Sequence, residues 1–222
     1  MGELNFGINP AVLEQTAAEI IVQQARGVQI GLVIGGGNIF RGAGLVKSGI
    51  EKVSADQMGM LATVMNALAM RDALQKQGGR CRLMTAMNID QLGESFNAET
   101  AREYLAQGDI VIFAAGTGSP CFTTDSAASL RAIEIQADLL LKATRVDGVY
   151  DADPVKFPEA KRYDSLSFDA AIEQRLGVMD LTAMVLCREN AMPLRVFNMF
   201  ETGALAAILD GQQVGTLVDV NV

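Results

Sequence analysis

Val28-Gln29-Ile30-Gly31-Leu32-Val33-Ile34-Gly35-Gly36-Gly37-Asn38-Ile39-Phe40-Arg41-Gly42 decides how the rest of the chain is read. Residues 28–34 form a short apolar run closed by three glycines, the pattern of a buried parallel strand. Glycines directly after such a strand let backbone N–H groups approach phosphate oxygens without interference from Cβ, and Arg41 adds a fixed positive fork. A plain strand-to-helix turn with positive φ would also use glycine. Three of them with an arginine four residues on favour phosphate binding. The run is neither the Gly-x-Gly-x-x-Gly dinucleotide fingerprint nor a P-loop, since no Gly-Lys-Ser/Thr occurs.

Outward from this stretch, helical and strand patterns alternate. Asn9-Pro10 opens a helix as N-cap and N1 proline, with apolar residues at helical spacing to Gly27. Helices are expected at 56–77, 98–107, 126–136, 168–176, 180–190 and 204–209. Strands are expected at 80–85, 109–115, 138–144, 194–198 and 216–220. In the long helix Met58, Leu61, Met65, Leu68 and Leu74 are expected to face inward, its methionines serving core or a subunit interface. Such alternation implies an α/β fold, a mostly parallel sheet covered by helices on both faces. Ligands then bind beyond the carboxyl ends of the strands.

The 222 residues suit one α/β domain over 1–222, and half of them are hydrophobic, enough for a filled core. A net charge of −8 argues against nucleic acid or an anionic membrane as partner and points to small anions held locally. The absence of histidine excludes imidazole-based mechanisms and His-ligated metals. Cys81, Cys121 and Cys187 are odd in number and far apart, which reads as buried, reduced thiols. No apolar run is long enough to span a membrane, so a cytoplasmic protein is expected.

Two further segments carry chemistry. Gly116-Thr117-Gly118-Ser119-Pro120-Cys121-Phe122-Thr123-Thr124-Asp125 is a small-residue loop between a core strand and a helix N-terminus, where the dipole and free N–H groups favour an anion. Asp125 is placed either as the cap of that helix or at the reaction centre, and the roles can coexist. Lys142, near the end of a buried strand, has little reason to be there for packing and could neutralise charge in phosphoryl transfer. Beyond it, Thr144, Tyr150 and Asp153 could hold a purine nucleotide, whereas Asp147-Gly148 taken alone is a turn. Lys52 and Arg71 read as solvated charges, and Asp180 as a helix cap.

Together with Ala55-Asp56-Gln57-Met58-Gly59-Met60-Leu61-Ala62-Thr63-Val64-Met65-Asn66, Lys142-Ala143-Thr144, Val178-Met179-Asp180 and Arg195-Val196-Phe197-Asn198, these segments resemble the amino acid kinase superfamily, specifically its bacterial uridylate kinase branch. The resemblance covers residues 6–218 and implies a three-layer αβα sandwich. By that likeness Gly36 and Asp56 would contact UMP, with Asp56 on the ribose hydroxyls, and Thr117, Gly118, Ser119, Pro120, Cys121, Phe122, Thr123 and Thr124 would hold uracil and monophosphate. Gly37, Arg41, Thr144, Tyr150 and Asp153 would serve ATP, while Lys142, Asp125 and Arg41 would act on the transferred group. Mg²⁺ would ride on the ATP phosphates. The family is a homohexamer, activated by GTP and inhibited by UTP.

The family opens with a strand leading into Lys-x-Ser-Gly-Glu, and Met1-Gly2 aligns just downstream of it, so that first strand is expected to be lacking. Two expectations follow: a chain that starts here at an internal methionine, favoured because losing a buried strand would leave a hole in the sheet, or a short protein that binds pyrimidine nucleotides as a catalytically impaired subunit.

Overall fold

The structure is a computed structural model that describes residues 7–40 and 49–222. It divides into two compact units, Met1–Ala127 and Ala128–Val222.

In the first unit the helices are α1 (Pro10–Ala25), α2 (Lys52–Lys76) and α3 (Ala98–Ala106), and α4 (Thr124–Glu134) begins there. The strands are β1 (Gly31–Val33), β2 (Cys81–Thr85), β3 (Glu94–Ser95) and β4 (Ile110–Ala114), in the order β1-β4-β2-β3, all parallel. β4 is buried at every position. Ile110, Ile112 and Ala114 join Ala17 and Ile20 of α1 and Val64, Ala67 and Leu74 of α2 in one core, while Phe113 on the other face meets Phe96 edge to face. Both faces of the strand are therefore covered, as a parallel sheet requires.

The second unit holds β5 (Leu140–Thr144), β6 (Ser165–Ser167), β7 (Leu194–Asn198) and β8 (Thr216–Asp219) in the order β5-β7-β8-β6. Its helices are α5 (Phe168–Glu173), α6 (Leu181–Glu189) and α7 (Ala204–Leu209). Leu194 and Val196 pack with Phe168, Met184 and Val218, whereas Phe197 packs with Ala204 and Ile208 of α7. Among the described residues only β7 and β8 run antiparallel in the six strand pairings, so the expected mostly parallel α/β architecture holds, with the strands in two four-stranded sheets.

Asn9 caps α1 by accepting from Ala11 and Val12 N–H, and Asp180 caps α6 by accepting from Ala183 N–H, both as the sequence indicates. Three expectations need correction. The strand at 28–34 is only Gly31–Val33 and only half-buried, because β1 sits at the sheet edge and pairs with β4 alone among the described residues. Leu61 and Met65 are 46% and 52% exposed. Leu74 is fully buried as expected, with Val64 and Met70, but the rest of the buried face of α2 is Ala55, Ala62, Thr63, Asn66, Ala67 and Ala73, small or polar residues that a search for large apolar residues overlooks. Cys121 is exposed; Cys81 is half-buried and Cys187 buried, and burial pushes both of those thiols up.

Candidate nucleotide site

The three glycines after β1 sit in different surroundings, and none of them has positive φ. A Cβ on Gly36 would lie 2.7 Å from Gly59 O, 2.8 Å from Ala62 Cβ and 3.1 Å from Thr63 N, so α2 abuts the loop there and Gly36 is buried. A Cβ on Gly35 would meet Thr124 Oγ1 at 3.2 Å, whereas a Cβ on the exposed Gly37 would meet nothing within 4 Å. The turn closes when Gly36 O accepts from Ile39 and Phe40 N–H. Arg41 lies outside the described residues.

The loop after β4 is held in uncommon backbone conformations. Ala115, Gly116, Gly118 and Cys121 have φ of 64°, 60°, 84° and 71°. Alanine and cysteine resist this region, at a cost of order 1–3 kcal/mol each, and persist there only when neighbours fix them. Those neighbours are visible. Ala115 N–H donates to Thr63 Oγ1 at 2.8 Å and Ala115 O accepts from Gly118 N–H at 3.0 Å. Cys121 N–H donates to Asp56 Oδ2 at 2.8 Å. Asp56 also pairs with Lys52 at 2.7 Å, and that hydrogen bond, aided by the Cys121 N–H against desolvation, holds the carboxyl below the usual aspartate range. Lys52 is thus a partner of Asp56 and not merely a solvated charge; Arg71 likewise donates to Leu92 O at 2.9 Å.

Thr117 folds back on Ser119, accepting its N–H at 3.2 Å and donating to its carbonyl at 3.1 Å. The loop leaves Cys121, Phe122 and Thr123 exposed and leads into α4. Helix α4 starts two residues before the expected position, and Thr123 Oγ1 accepts from Asp125 and Ser126 N–H. The capping role weighed for Asp125 therefore belongs to Thr123. Asp125 sits in the first turn, where the dipole favours a carboxylate.

In the second unit Lys142 lies half-buried on β5 in register with Val196, and Thr144 ends the strand with its hydroxyl bonded to both N–H and C=O of Val146. Tyr150 and Asp147 are joined, the phenol donating to Asp147 Oδ1 at 2.7 Å while Arg162 donates to Oδ2 at 2.9 Å. Desolvation pushes Asp147 up, but these bonds and a backbone N–H carry it below its ordinary range, and the same bond raises Tyr150. Asp147 is more than the turn residue the sequence indicates. Asp153 accepts from Val155 N–H and lies 3.4 Å from Lys156 Nζ.

Thr63, Asn66 and Asn38 stand within the sequence motifs, but sequence reasoning assigned none of them a role. Thr63 and Asn66 are 6% exposed, and their signal is a polar pair three residues apart on the otherwise apolar buried face of the helix. Among the described residues no group of three His, Cys, Asp or Glu could hold a metal ion, and no helix is long and apolar enough to cross a membrane.

Residues 7–198 match the amino acid kinase family. The chain is 58% identical to the uridylate kinase of Xanthomonas oryzae pv. oryzae over 218 residues, spanning 98% of this chain and 91% of that one. It is 55% identical to the uridylate kinase of Alcanivorax borkumensis, across 98% and 86% of the two chains. The crystal structure of UMP kinase from Bacillus anthracis superposes with a TM-score of 0.96 at 37% identity, covering 99% of this chain and 91% of its own. That from Ureaplasma parvum gives 0.90 at 36% identity, covering 96% and 90%. With the family match over residues 7–198 and relatives 55–58% identical across 98% of its length, the chain belongs to the amino acid kinase family, in its uridylate kinase branch.

Proposed function

We infer that this chain is a nucleoside monophosphate kinase that transfers the γ-phosphoryl group of Mg·ATP to UMP, giving UDP. One observation carries the reading on the structural side. In a chain 58% identical to a uridylate kinase, Asp56 grips the N–H of Cys121 and braces a strained, exposed loop that opens onto a helix N-terminus. A catalytically impaired binding subunit, the other reading of the sequence, finds no support among these relatives.

The acceptor phosphate is already an anionic nucleophile, so no covalent enzyme intermediate is required. One of its oxygens forms the bond to Pγ as the bond from Pγ to the ADP oxygen breaks. Catalysis then rests on in-line positioning and on cations beside the transferred group. We assign UMP to Gly36, Asp56 and Thr117–Thr124, and ATP to Gly37, Arg41, Thr144, Tyr150 and Asp153. Lys142 and Asp125 attend the transferred phosphoryl. The exposed Phe122 ring, 51% accessible, is available to a base, and the open Gly37 suits a phosphate better than the buried Gly36 does. Mg²⁺ keeps most of its water and takes phosphate oxygens as ligands, so the ion would be delivered on the nucleotide.

The family match runs through both compact units and supports one catalytic domain over 1–222. Outward-facing Leu61 and Met65 support self-association, which we take to the homohexamer of the resemblance, with GTP as activator, UTP as inhibitor and the cytoplasm as location. The test is coupled detection of UDP and ADP from UMP and ATP, with CMP and acetylglutamate as competing acceptors. Lys142→Met is expected to lower kcat by about 10²–10³-fold. No UMP-dependent ADP formation would overturn the assignment, and sedimentation with GTP and UTP titrations decides assembly and regulation.

A further inference from the structure

Asn66 sits 6% exposed on α2, where an apolar residue would pack more simply, and every polar atom of its amide is used. Nδ2 donates to Gly35 O and to Asn38 Oδ1, both at 2.6 Å, and Oδ1 accepts from Asn38 Nδ2 at 3.1 Å. The pair is reciprocal, amide on amide. Asn38 extends it by donating to Gly7 O at 3.0 Å and accepting Gly7 N–H at its own carbonyl at 2.8 Å. Two side chains 28 residues apart thus bind one loop to one helix.

A planar trans peptide ties the direction of each carbonyl to that of the next N–H. With Gly35 O drawn onto α2 by Asn66, the N–H of Gly36 faces away from the helix. With Gly36 O engaged by Ile39 and Phe40 N–H, the N–H of Gly37 is fixed in the opposite sense. Two successive peptides of a loop without side chains are thereby oriented, and glycine itself contributes nothing to that order. We propose that Asn66, through its pair with Asn38 and its bond to Gly35, is a positioning residue that aims the glycine-loop N–H groups at nucleotide phosphate. The inference rests on the kinase reading, because the loop needs a defined orientation only if an anion docks on it. Asn66 touches no nucleotide itself; it acts through Gly35.

The experiment compares Asn66→Asp, Asn66→Leu and Asn38→Ala in the full chain with Leu74→Val, a change in the buried core at the far end of the same helix. Aspartate and leucine keep the volume but cannot donate to Gly35 O. Nucleotide binding is read by calorimetry with UMP and with Mg·ATP, below the Tm of every variant. Both Asn66 variants are expected to weaken UMP or ATP at least tenfold, and Asn38→Ala, which leaves the bond to Gly35, two- to fivefold. Leu74→Val lowers Tm while both affinities stay within twofold of the parent. Asn66 variants that bind both nucleotides as the parent does, at whatever Tm, overturn the proposal. So does a loss in Leu74→Val equal to theirs, since that assigns the effect to general destabilisation. A parent chain that binds neither nucleotide overturns the kinase reading as well, a result distinct from either.

Discussion

Exchanging Gly36 and Gly37 separately for alanine places the same methyl group in two environments one residue apart. At Gly36 it arrives 2.7 Å from Gly59 O and 2.8 Å from Ala62 Cβ, where ordinary contact starts at 3.4 Å. The obstacles are a helix backbone and a short rigid side chain, so α2 or the loop must yield by roughly 0.7 Å, and overpacking of this kind costs about 1–3 kcal/mol. Displacing α2 also pulls Asn66 from Gly35 O and Thr63 from Ala115 N–H, which puts Gly36→Ala in the upper half of that range. At Gly37 the methyl meets nothing within 4 Å and φ is not positive, so the native state is untouched while the unfolded chain loses freedom, a gain of about 0.4–1 kcal/mol. For a chain of this length, ~2–4 °C per kcal/mol turns these into a fall of roughly 4–12 °C for Gly36→Ala and no fall for Gly37→Ala. Scanning fluorimetry of the two variants beside the parent reads this directly. A Gly36→Ala protein as stable as the parent, or a Gly37→Ala protein several degrees less stable, would refute the assignment of Gly36 to helix packing.

Other perturbations separate holding from catalysing. Thr123→Ala removes the cap of α4 and should destabilise by about 0.5–2 kcal/mol in urea unfolding, whereas Asp125→Asn should leave stability within about 0.5 kcal/mol and lower kcat; the reverse pattern would return the cap to Asp125. Asp56→Asn keeps an acceptor for Cys121 N–H but loses the charge, and should raise KM for UMP about 10–100-fold, the range of a hydrogen bond to a charged group. Because the folded-state pKa of Asp56 is depressed, its contribution to stability is complete above the ordinary aspartate range near 3.9 and is lost as pH falls through the lower folded value. Tm measured against pH should therefore fall less steeply below about pH 4 in Asp56→Asn than in the parent, and identical acid limbs would refute it. Tyr150→Phe frees Asp147 from the phenol and should cost about 0.5–1.5 kcal/mol while KM for ATP stays within twofold; a large rise in KM would show that the hydroxyl, and not the ring, serves the nucleotide.

Much of the site was legible because its motifs sit where strands end. Glycines after 28–34, the Gly-Thr-Gly-Ser loop after 109–115 and Lys142-Ala-Thr144 stand out against apolar runs, and the structure has strands ending at Val33, Ala114 and Thr144. The reasons for individual residues were less legible. Gly36 and Gly37 are the same letter, yet one is required by a helix packed on it and the other is open to solvent. Asp125 looks like a cap until Thr123 is seen to cap the helix. Asp147-Gly148 looks like a turn until Tyr150 and Arg162 are found on its carboxylate.

The sequence by itself determined the strand–helix alternation and the capped starts of α1 and α6, which depend on local propensity and periodicity, and its motifs marked the phosphate-binding loops and, through their resemblance to the amino acid kinases, the class of chemistry. Only the tertiary structure decided which face of α2 is buried and that Thr63, Asn66 and Asp56 tie two loops to one helix. Those facts depend on contacts between residues 28 to 65 positions apart, and such contacts exist only once the chain has folded.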